Sequence, residues 1–418
     1  MKILMTGDLH MGRGSSKLRE LPPQTAIACW REIVIKAIEL DVQVVLLSGD
    51  VVDRQNRFYE SHAPLEQGVR DLASNGISTV AVAGNHDFDV LRNLHQAIEV
   101  EQFHLLGTGE RWESLELTHQ GETLRLDGWS FSSPYVQTSP LATYPEQGDD
   151  ADYHIGLVHG DLEGVGSRYA PLALKDLQEK NVDGWLLGHI HKPHLISQSK
   201  GPWVLYPGSP QALDPGEPGI HGCWIIESES DDQPEFLPLS TVCYESLVVD
   251  ISECEEAADV LGFVFAKAKT TAMDIKTQSH AGLQAVALRI EIIGECSDPA
   301  SVREMLNGYE EWGPLLDETS VWIDKLQVTI LPRLEKSELR QQTTALARAF
   351  QLLEELDSDN LSRDSEKLYS ELARKCRQQC NKYRGIDHAE DFVDRILPSL
   401  VRLQLSRIVS DLRRQRDE

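Results

Sequence analysis

Two histidines stand one residue apart in GHIHKP, Gly188 to Pro193, directly after the apolar run Trp185-Leu186-Leu187. In an extended backbone residues i and i+2 project to the same side, so His189 and His191 can face one point just beyond a strand. Four further polar clusters follow apolar runs: Asp8 and His10 in KILMTGDLH, Asp50 in VVLLSGDVVD, Asn85, His86 and Asp87 in TVAVAGNHD, and His159 in IGLVHGD. Taken singly, each has an ordinary explanation. A short Asp/His pair arises by chance, Asp50 and Asn85 suit turns or caps, and an isolated His159 suits a structural role. The weight comes from their number and placement, because ligands at several strand ends can converge. Carboxylates, imidazoles and one carboxamide oxygen form a mixed N/O set without thiolate, which suits manganese, iron or zinc and disfavours a structural zinc site. The seven residues Asp8, His10, Asp50, Asn85, His159, His189 and His191 are too many for one ion. Two ions sharing Asp50 would use them all, at the roughly 3.5–4 Å separation typical of two-metal hydrolytic centres.

These clusters need a frame that brings strand ends together. The five runs share one design: an apolar run of strand character, then glycine and a polar cluster, then often a helical pattern. Continuous apolar runs ending at glycine predict strands buried on both faces. Thr25 to Leu40 and His62 to Asn75 have helical spacing, with Asn75-Gly76 as a stop for the second. Strands alternating with helices predict an α/β layer architecture, in which ligands gather beyond the carboxyl ends of strands.

The acidic stretch ESESDDQPEFLP, Glu227 to Pro238, reads as a linker. Beyond it, Tyr244 to Ile251, Ala285 to Ile293 and Val321 to Ile330 read as strands, and Glu255 to Thr271 and Pro299 to Leu306 as helices, enough for a small α+β domain. From Pro332 onward the pattern is helical and charge-rich. Phe392 to Leu412 spaces Val393, Leu397, Val401, Leu405, Ile408 and Leu412 three or four apart, an apolar stripe that either packs on its own domain or docks a partner helix. Pro398 kinks or breaks that helix.

At 418 residues the chain predicts two or three domains, and 41% hydrophobic with 26% charged residues marks it as globular. No apolar run reaches the length of a bilayer span, and MKILMTGD turns polar too soon for a signal-peptide core, so the expected location is cytoplasmic. Seven cysteines without a CxxC pair argue for reduced thiols; Cys376 and Cys380 are spaced to share a helix face. A net charge of -27 disfavours a chain that wraps nucleic acid by itself. Yet Arg13, Lys17, Arg19, Arg54, Arg57, Arg168 and Lys192 all sit just after the motifs, whereas residues 201–250 contain no Lys or Arg. Singly these cations are solvated loop charges, and together they allow a locally positive mouth on an acidic body.

The ordered set GDLHMG, GDVVD, GNHD, HGD and GHIH resembles the calcineurin-like metallophosphoesterase superfamily. Its spacing, the YPGSPQ segment at Tyr206 to Gln211 and the flanking GWLLGHIHKP resemble the SbcD-type DNA repair nucleases, especially the YhaO-like branch. The motifs cover roughly the first half of the chain, and a weaker similarity in element order runs through the rest. The resemblance implies a β-sandwich flanked by helices over residues 1–235, an α+β capping domain over 240–331 and a helical, partner-binding region over 332–418. It implies two manganese ions, one held by Asp8, His10, Asp50 and His191 and the other by Asp50, Asn85, His159 and His189. His86 would face the scissile phosphate, Asp87 would orient His86, and Asp53 would give structural support. DNA is the implied substrate, members of the family commonly dimerise, and the implied partner is an SMC-like coiled-coil ATPase. The chain has no GxxxxGK[ST] phosphate loop, so an ATP-driven step needs another protein.

Two other readings use the same residues. A phosphatase or small-molecule phosphodiesterase is suggested by GDVVDR, which resembles the GDxVDRG of protein Ser/Thr phosphatases; but Gln55 replaces the glycine, and GNHD stands where those enzymes have GNHE. An assembly scaffold with a vestigial centre is disfavoured, because a competent residue fills every ligand position.

Overall fold

The computed structural model describes residues 1–13, 26–53, 58–145, 151–164, 166–196, 201–229, 233–280, 282–307, 320–333, 347, 351–352, 355 and 362–380. The apolar runs become the central strands of two six-stranded sheets. The first sheet contains β1 (Lys2–Thr6), β2 (Val44–Leu47), β3 (Ser78–Ala81) and β4 (Phe103–Leu105) in parallel. The second contains β5 (Glu113–His119), β6 (Glu122–Trp129), β7 (Tyr153–His159), β8 (Gly184–Gly188), β9 (His194–Ile196) and β10 (Trp203–Tyr206). Its order is β5-β6-β7-β8-β10-β9, parallel from β6 to β10 with antiparallel strands at both edges. β11 (Gly222–Glu227) and β12 (Glu235–Pro238) complete the first sheet beside β1, giving β12-β11-β1-β2-β3-β4.

Residue alternation explains why the runs are apolar throughout. Ile3, Met5, Val44, Leu46 and Val80 pack with Leu124, Leu126, Ile155, Leu157, Leu186 and Leu205 of the second sheet. Their neighbours Leu4, Val45, Leu47 and Ala81 pack instead with Trp30 and Ile33 of α1 (Ala26–Glu39) and Leu65, Val69 and Leu72 of α2 (Phe58–Ser74). Both faces of β1 to β3 are therefore removed from water, and the layer order is helices, sheet, sheet. On the outer face of the second sheet, Trp129, Val158, Trp185, Leu187, Val204 and Tyr206 pack under Phe131, Leu141 and Leu177.

The hairpin of β5 and β6 carries no motif and turns at Gln120-Gly121. Both residues have positive φ, +50° and +90°, the left-handed pair that matches strand twist in a two-residue loop. The linker reading of Glu227 to Pro238 is corrected. Glu235–Pro238 is an edge strand, in register with β11 through Trp224↔Phe236 and Cys223↔Leu237. Phe236 packs on the inter-sheet core and Leu237 on the helix side. Pro238 is tolerated because an edge strand has one side without ladder bonds.

Past β12, a three-stranded sheet is ordered β13 (Val242–Asp250), β14 (Ala285–Cys296), β15 (Ser320–Pro332). α5 (Ala257–Gln278) and α6 (Pro299–Leu306) accompany it. α6 begins where its sequence says: Asp298 accepts the N–H groups of Ala300 and Ser301 at 3.1 and 3.0 Å, and Pro299 fills the first position. Two compact units divide the chain, residues 1–247 with 268–289 and 311–325, and residues 248–267 with 290–310 and 326–418. Cys376 and Cys380 lie on α7 (Arg363–Cys380). The apolar stripe of Phe392 to Leu412 lies outside the described residues. Among the described residues no helix is long and apolar enough to cross a membrane, and Cys29, Cys223, Cys243, Cys254 and Cys296 are buried free thiols.

Candidate metal centre

Both sheets end at one place. Asp8, Asp50 and Asn85 follow β1, β2 and β3 of the first sheet; His159 ends β7 of the second, and His189 follows β8. The loops after β1 and β2 are laced together by Asp8 N–H to Gly49 O (3.0 Å), His10 N–H to Asp50 O (2.9 Å) and Asp53 N–H to Met11 O (3.0 Å). Asp8, His10 and Asp50 take left-handed φ values of +48°, +46° and +49°, and His189 takes +101°. Such backbone costs about 1–3 kcal/mol per residue and concentrates where side chains must be aimed at one point. Gly188 lets the sheets close. A Cβ there would lie 2.0 Å from the Ser48 carbonyl oxygen and 2.5 Å from His159 Nδ1.

All seven residues read as ligands come together. His10 Nε2 is 3.0 Å from His191 Nε2, and Asp8, His10 and His191 offer atoms within 4.8 Å of one another. Asn85 Oδ1 lies 3.0 Å from His159 Nε2 and 3.2 Å from His189 Nδ1. Asp50 joins the two sets, its Oδ2 being 3.4 Å from His159 Nε2 and 3.9 Å from His10 Nε2. Asp8 also spans them: it belongs to a second group with Asp50 and His159, and its oxygens each accept the His189 N–H at 3.1 Å.

Burial governs the charges. Asp8 is pushed up to about 7 by burial, with the Asp50 charge adding to this and His191 opposing it. Burial lowers His10 and His159 to about 3 and His189 to about 4, so these imidazoles are neutral and have lone pairs available. His191 differs: burial pulls it down, but the hydrogen bond to Glu217 and the charges of Asp8, Glu217 and Asp50 raise it to about 9. His10 Nδ1 is buried without a hydrogen-bond partner, and Asn85 Oδ1 converges with the ring nitrogens of His159 and His189. The neutral imidazoles of His10, His159 and His189 converging with the buried carboxylates fit divalent cations, whose charge opposes the tendency of Asp8 to protonate.

Around the ligands the structure changes one assignment. Asp87 was expected to orient His86, but its carboxylate is turned into the fold. Its oxygens accept the backbone N–H groups of Gly84 at 2.8 Å, Val51 at 2.7 Å and Val52 at 3.3 Å, so it binds the Asn85 loop to the Asp50 loop. The carboxylate facing His86 is that of Asp53, 3.7 Å from Nδ1, an ion-pair distance too long for a hydrogen bond. Asp53 raises the His86 pKa above its ordinary value against the opposing effect of burial. The His86 side chain is 39% exposed, and its ring stands edge-on to His10 with centroids 4.9 Å apart. The backbone N–H of His86 donates to Asp50 Oδ1 at 2.8 Å, tying its main chain to a ligand residue.

Sequence reasoning missed Glu217, whose Oε1 is 2.6 Å from His191 Nδ1. Glu217 Oε2 accepts the Leu213 N–H at 2.8 Å within the turn of LDPGE, and the only signal in the sequence was an acid in a glycine-proline turn soon after YPGSPQ. The cations read as a positive mouth have different fates. Arg13 is bound to Asp214 at 2.8 Å, Lys192 is exposed and Arg168 lies over the Tyr135 ring, and Lys17, Arg19, Arg54 and Arg57 lie outside the described residues.

Residues 1–193 match the family model of calcineurin-like phosphoesterases, a span that holds all seven ligand residues and His86. This part of the chain, just under half of its length, is similar to that family. Calcineurin-like phosphoesterases are metal-dependent hydrolases of phosphoester bonds. The chain is similar to the uncharacterized metallophosphoesterase YhaO of Bacillus subtilis, with 28% identity over 61% of this chain and 64% of the relative. It is also similar to the DNA double-strand break repair protein Mre11 of Methanopyrus kandleri, with 22% identity over 56% of each chain. It thus spans from about half to just under two thirds of the curated relatives it matches. Among solved structures, a dimetal phosphatase from Danio rerio aligns with 54% of this chain and 91% of its own, at 12% identity and a TM-score of 0.35.

Proposed function

We propose that this chain is a manganese-dependent nuclease that hydrolyses DNA phosphodiesters, working as the nuclease subunit of a DNA repair or processing complex with an SMC-like coiled-coil ATPase. The observation that carries the hydrolytic reading is the pair of ligand sets meeting at Asp50, with the exposed ring of His86 fixed beside both. Similarity to the DNA double-strand break repair protein Mre11 supports DNA as the substrate.

Asp8, His10, Asp50 and His191 would hold one ion and Asp50, Asn85, His159 and His189 the other. When bound, such ions would supply positive charge for the phosphate oxygens and would acidify water at the site. The chain's own residues complete the chemistry. His86 reaches the mouth of the site as a proton donor for the departing sugar oxygen, and the Asp53 carboxylate keeps its ring charged to higher pH. Asp87 and the lacing of the Asp8 and Asp50 loops hold His86 and the ligand oxygens in place, so that positioning precedes substrate. Residues 240–331 serve as a capping domain and the C-terminal region as the partner-binding element. An acidic chain needs such a partner to supply basic surface for DNA.

The test places purified protein with manganese on end-labelled single- and double-stranded DNA and, in parallel, on a small phosphodiester and a phosphoprotein, with EDTA and His86→Asn as controls. DNA cleavage that is sensitive to EDTA and lost in the variant is the expected result. Turnover of the small substrates alone, unchanged by an added partner ATPase, returns the chain to the phosphatase or small-diesterase class. Truncation before Phe392 should abolish co-purification with the ATPase.

A further inference from the structure

A line of aromatic rings runs from the metal centre to solvent. Tyr169 lies against His189 with ring centroids 4.7 Å apart and planes inclined by 34°. Tyr135 follows, 5.8 Å from Tyr169, and is 49% exposed. These tyrosines sit on two loops joined by a parallel bridge, with Val136 N–H to Arg168 O and Ala170 N–H to Val136 O both at 2.8 Å. The rings are thus carried by a fixed backbone. At the inner end, His189 contacts Asn85 and the His159 ring, whose centroid is 5.4 Å away.

Arg168 adds a charge of the right kind. Its guanidinium lies 5.8 Å from the Tyr135 ring centroid, and it makes no ion pair with a described residue although the chain carries a net charge of -27. Arg13, the other described arginine near the ligand loops, is held by Asp214. An exposed ring, a second ring behind it and a guanidinium with no ion pair among the described residues, all within two ring contacts of the proposed metal centre, suit a flat, π-faced group attached to a phosphate. Bases stack on such rings irrespective of sequence, and arginine adds a cation–π contribution.

We propose that Tyr135, backed by Tyr169 and flanked by Arg168, is a stacking platform for an unpaired nucleobase next to the scissile phosphate. The inference rests on the nuclease reading and narrows it: a base inside a duplex has both faces covered, so the platform selects single-stranded or frayed ends.

Calorimetric titration of the full chain in EDTA, which blocks hydrolysis, tests this with an unlabelled thymidine pentanucleotide and an abasic tetrahydrofuran pentamer of the same charge. The base-bearing ligand should bind on the order of tenfold tighter. Tyr135→Leu, at an exposed position, should bring the ratio close to one, and Tyr135→Phe should restore it. Arg168→Ala should weaken both ligands and reduce the ratio in part. Equal binding of the two pentamers by the unsubstituted protein, no binding of either, or a ratio unchanged in Tyr135→Leu overturns the platform. The nuclease reading fails by a different result, intact DNA with the manganese-loaded chain, and the binding ratio judges the platform in either case.

Discussion

Glu217 Oε1 and His191 Nδ1 are 2.6 Å apart, so Nδ1–H donates to the carboxylate and Nε2 is the nitrogen that faces His10. Partners of this kind orient a ligating imidazole, and their loss commonly costs 10–100-fold in metal affinity, on the order of the effect expected here. Glu217→Ala should weaken manganese binding to that extent, read by paramagnetic resonance of free manganese during titration. Glu217→Gln, which keeps an acceptor oxygen, should lose less. An affinity unchanged in the alanine variant would detach Glu217 from the centre.

The His86 ring offers an atom within 4.8 Å of ligand atoms of His10 and Asp50, although the seven other residues already give each ion four ligands without it. His86→Asn should retain manganese stoichiometry and lose about 10²–10⁴-fold in turnover, the usual contribution of a positioned acid or base. Parallel metal analysis and single-turnover kinetics check both halves, and loss of bound metal in the variant would make His86 a ligand.

Asp53 and Asp87 should separate cleanly. Asp53 raises the His86 pKa, so the charged ring persists to higher pH, and activity that needs it fades only as pH climbs through the raised value. Asp53→Asn should therefore move the basic limb of the pH–rate profile to lower pH. Asp87→Ala instead strips an acceptor from buried N–H groups of Gly84, Val51 and Val52. It should cost at least about 1–3 kcal/mol of stability in denaturant unfolding, and a shift of the basic limb without destabilisation would reverse the two roles.

Gly188→Ala tests the closure of the sheets. Its Cβ would meet the Ser48 carbonyl oxygen, part of a backbone that cannot move alone, and His159 Nδ1. Destabilisation of about 1–3 kcal/mol should accompany weaker manganese binding, measured by thermal unfolding with and without the ion. Normal values of both would mean that the ends of β2 and β8 do not meet as described.

Far from the centre, Asp127 accepts from the Ser114 and Tyr144 hydroxyls at 2.6 and 2.8 Å and lies 2.6 Å from His154 Nε2. Burial pushes its pKa up, and the bonds from His154, Ser114 and Tyr144 outweigh burial and leave it below the ordinary carboxylate range. A depressed folded pKa stabilises the fold above the unfolded value of about 3.9, and that stability drains away as pH falls through the folded value. Asp127→Asn should cost about 1.5–3 kcal/mol near neutrality, with the difference from the unsubstituted protein shrinking in acid. A difference constant down to the most acidic condition at which the protein remains folded would contradict this.

Ligand types and strand ends were legible because both are local. An apolar run ending in glycine and a polar cluster makes a buried strand with its reactive residues at the carboxyl end, whatever the strand packs against; Asp8, Asp50, Asn85, His159 and His189 follow that rule. α6 and the strands of the small sheet were visible for the same reason, through spacing and caps. Other features depended on partners far away in the chain. The runs after β4 belong to a second sheet because alternate residues of β1 to β3 bury against it, a pairing that period and composition do not encode. Glu235–Pro238 is a strand only because Trp224 and Cys223 stand beside it. The orientation of carboxylates was equally hidden. Asp53 and Asp87 are both acids close to His86 in the motifs, and tertiary packing turns one toward the ring and the other onto three backbone N–H groups. Glu217 reaches His191, and Tyr135 reaches Tyr169, across loops whose ends are set by the sheets. A sequence names donors and acceptors, but which of them meet is decided by strand order, loop closure and burial acting on the whole chain.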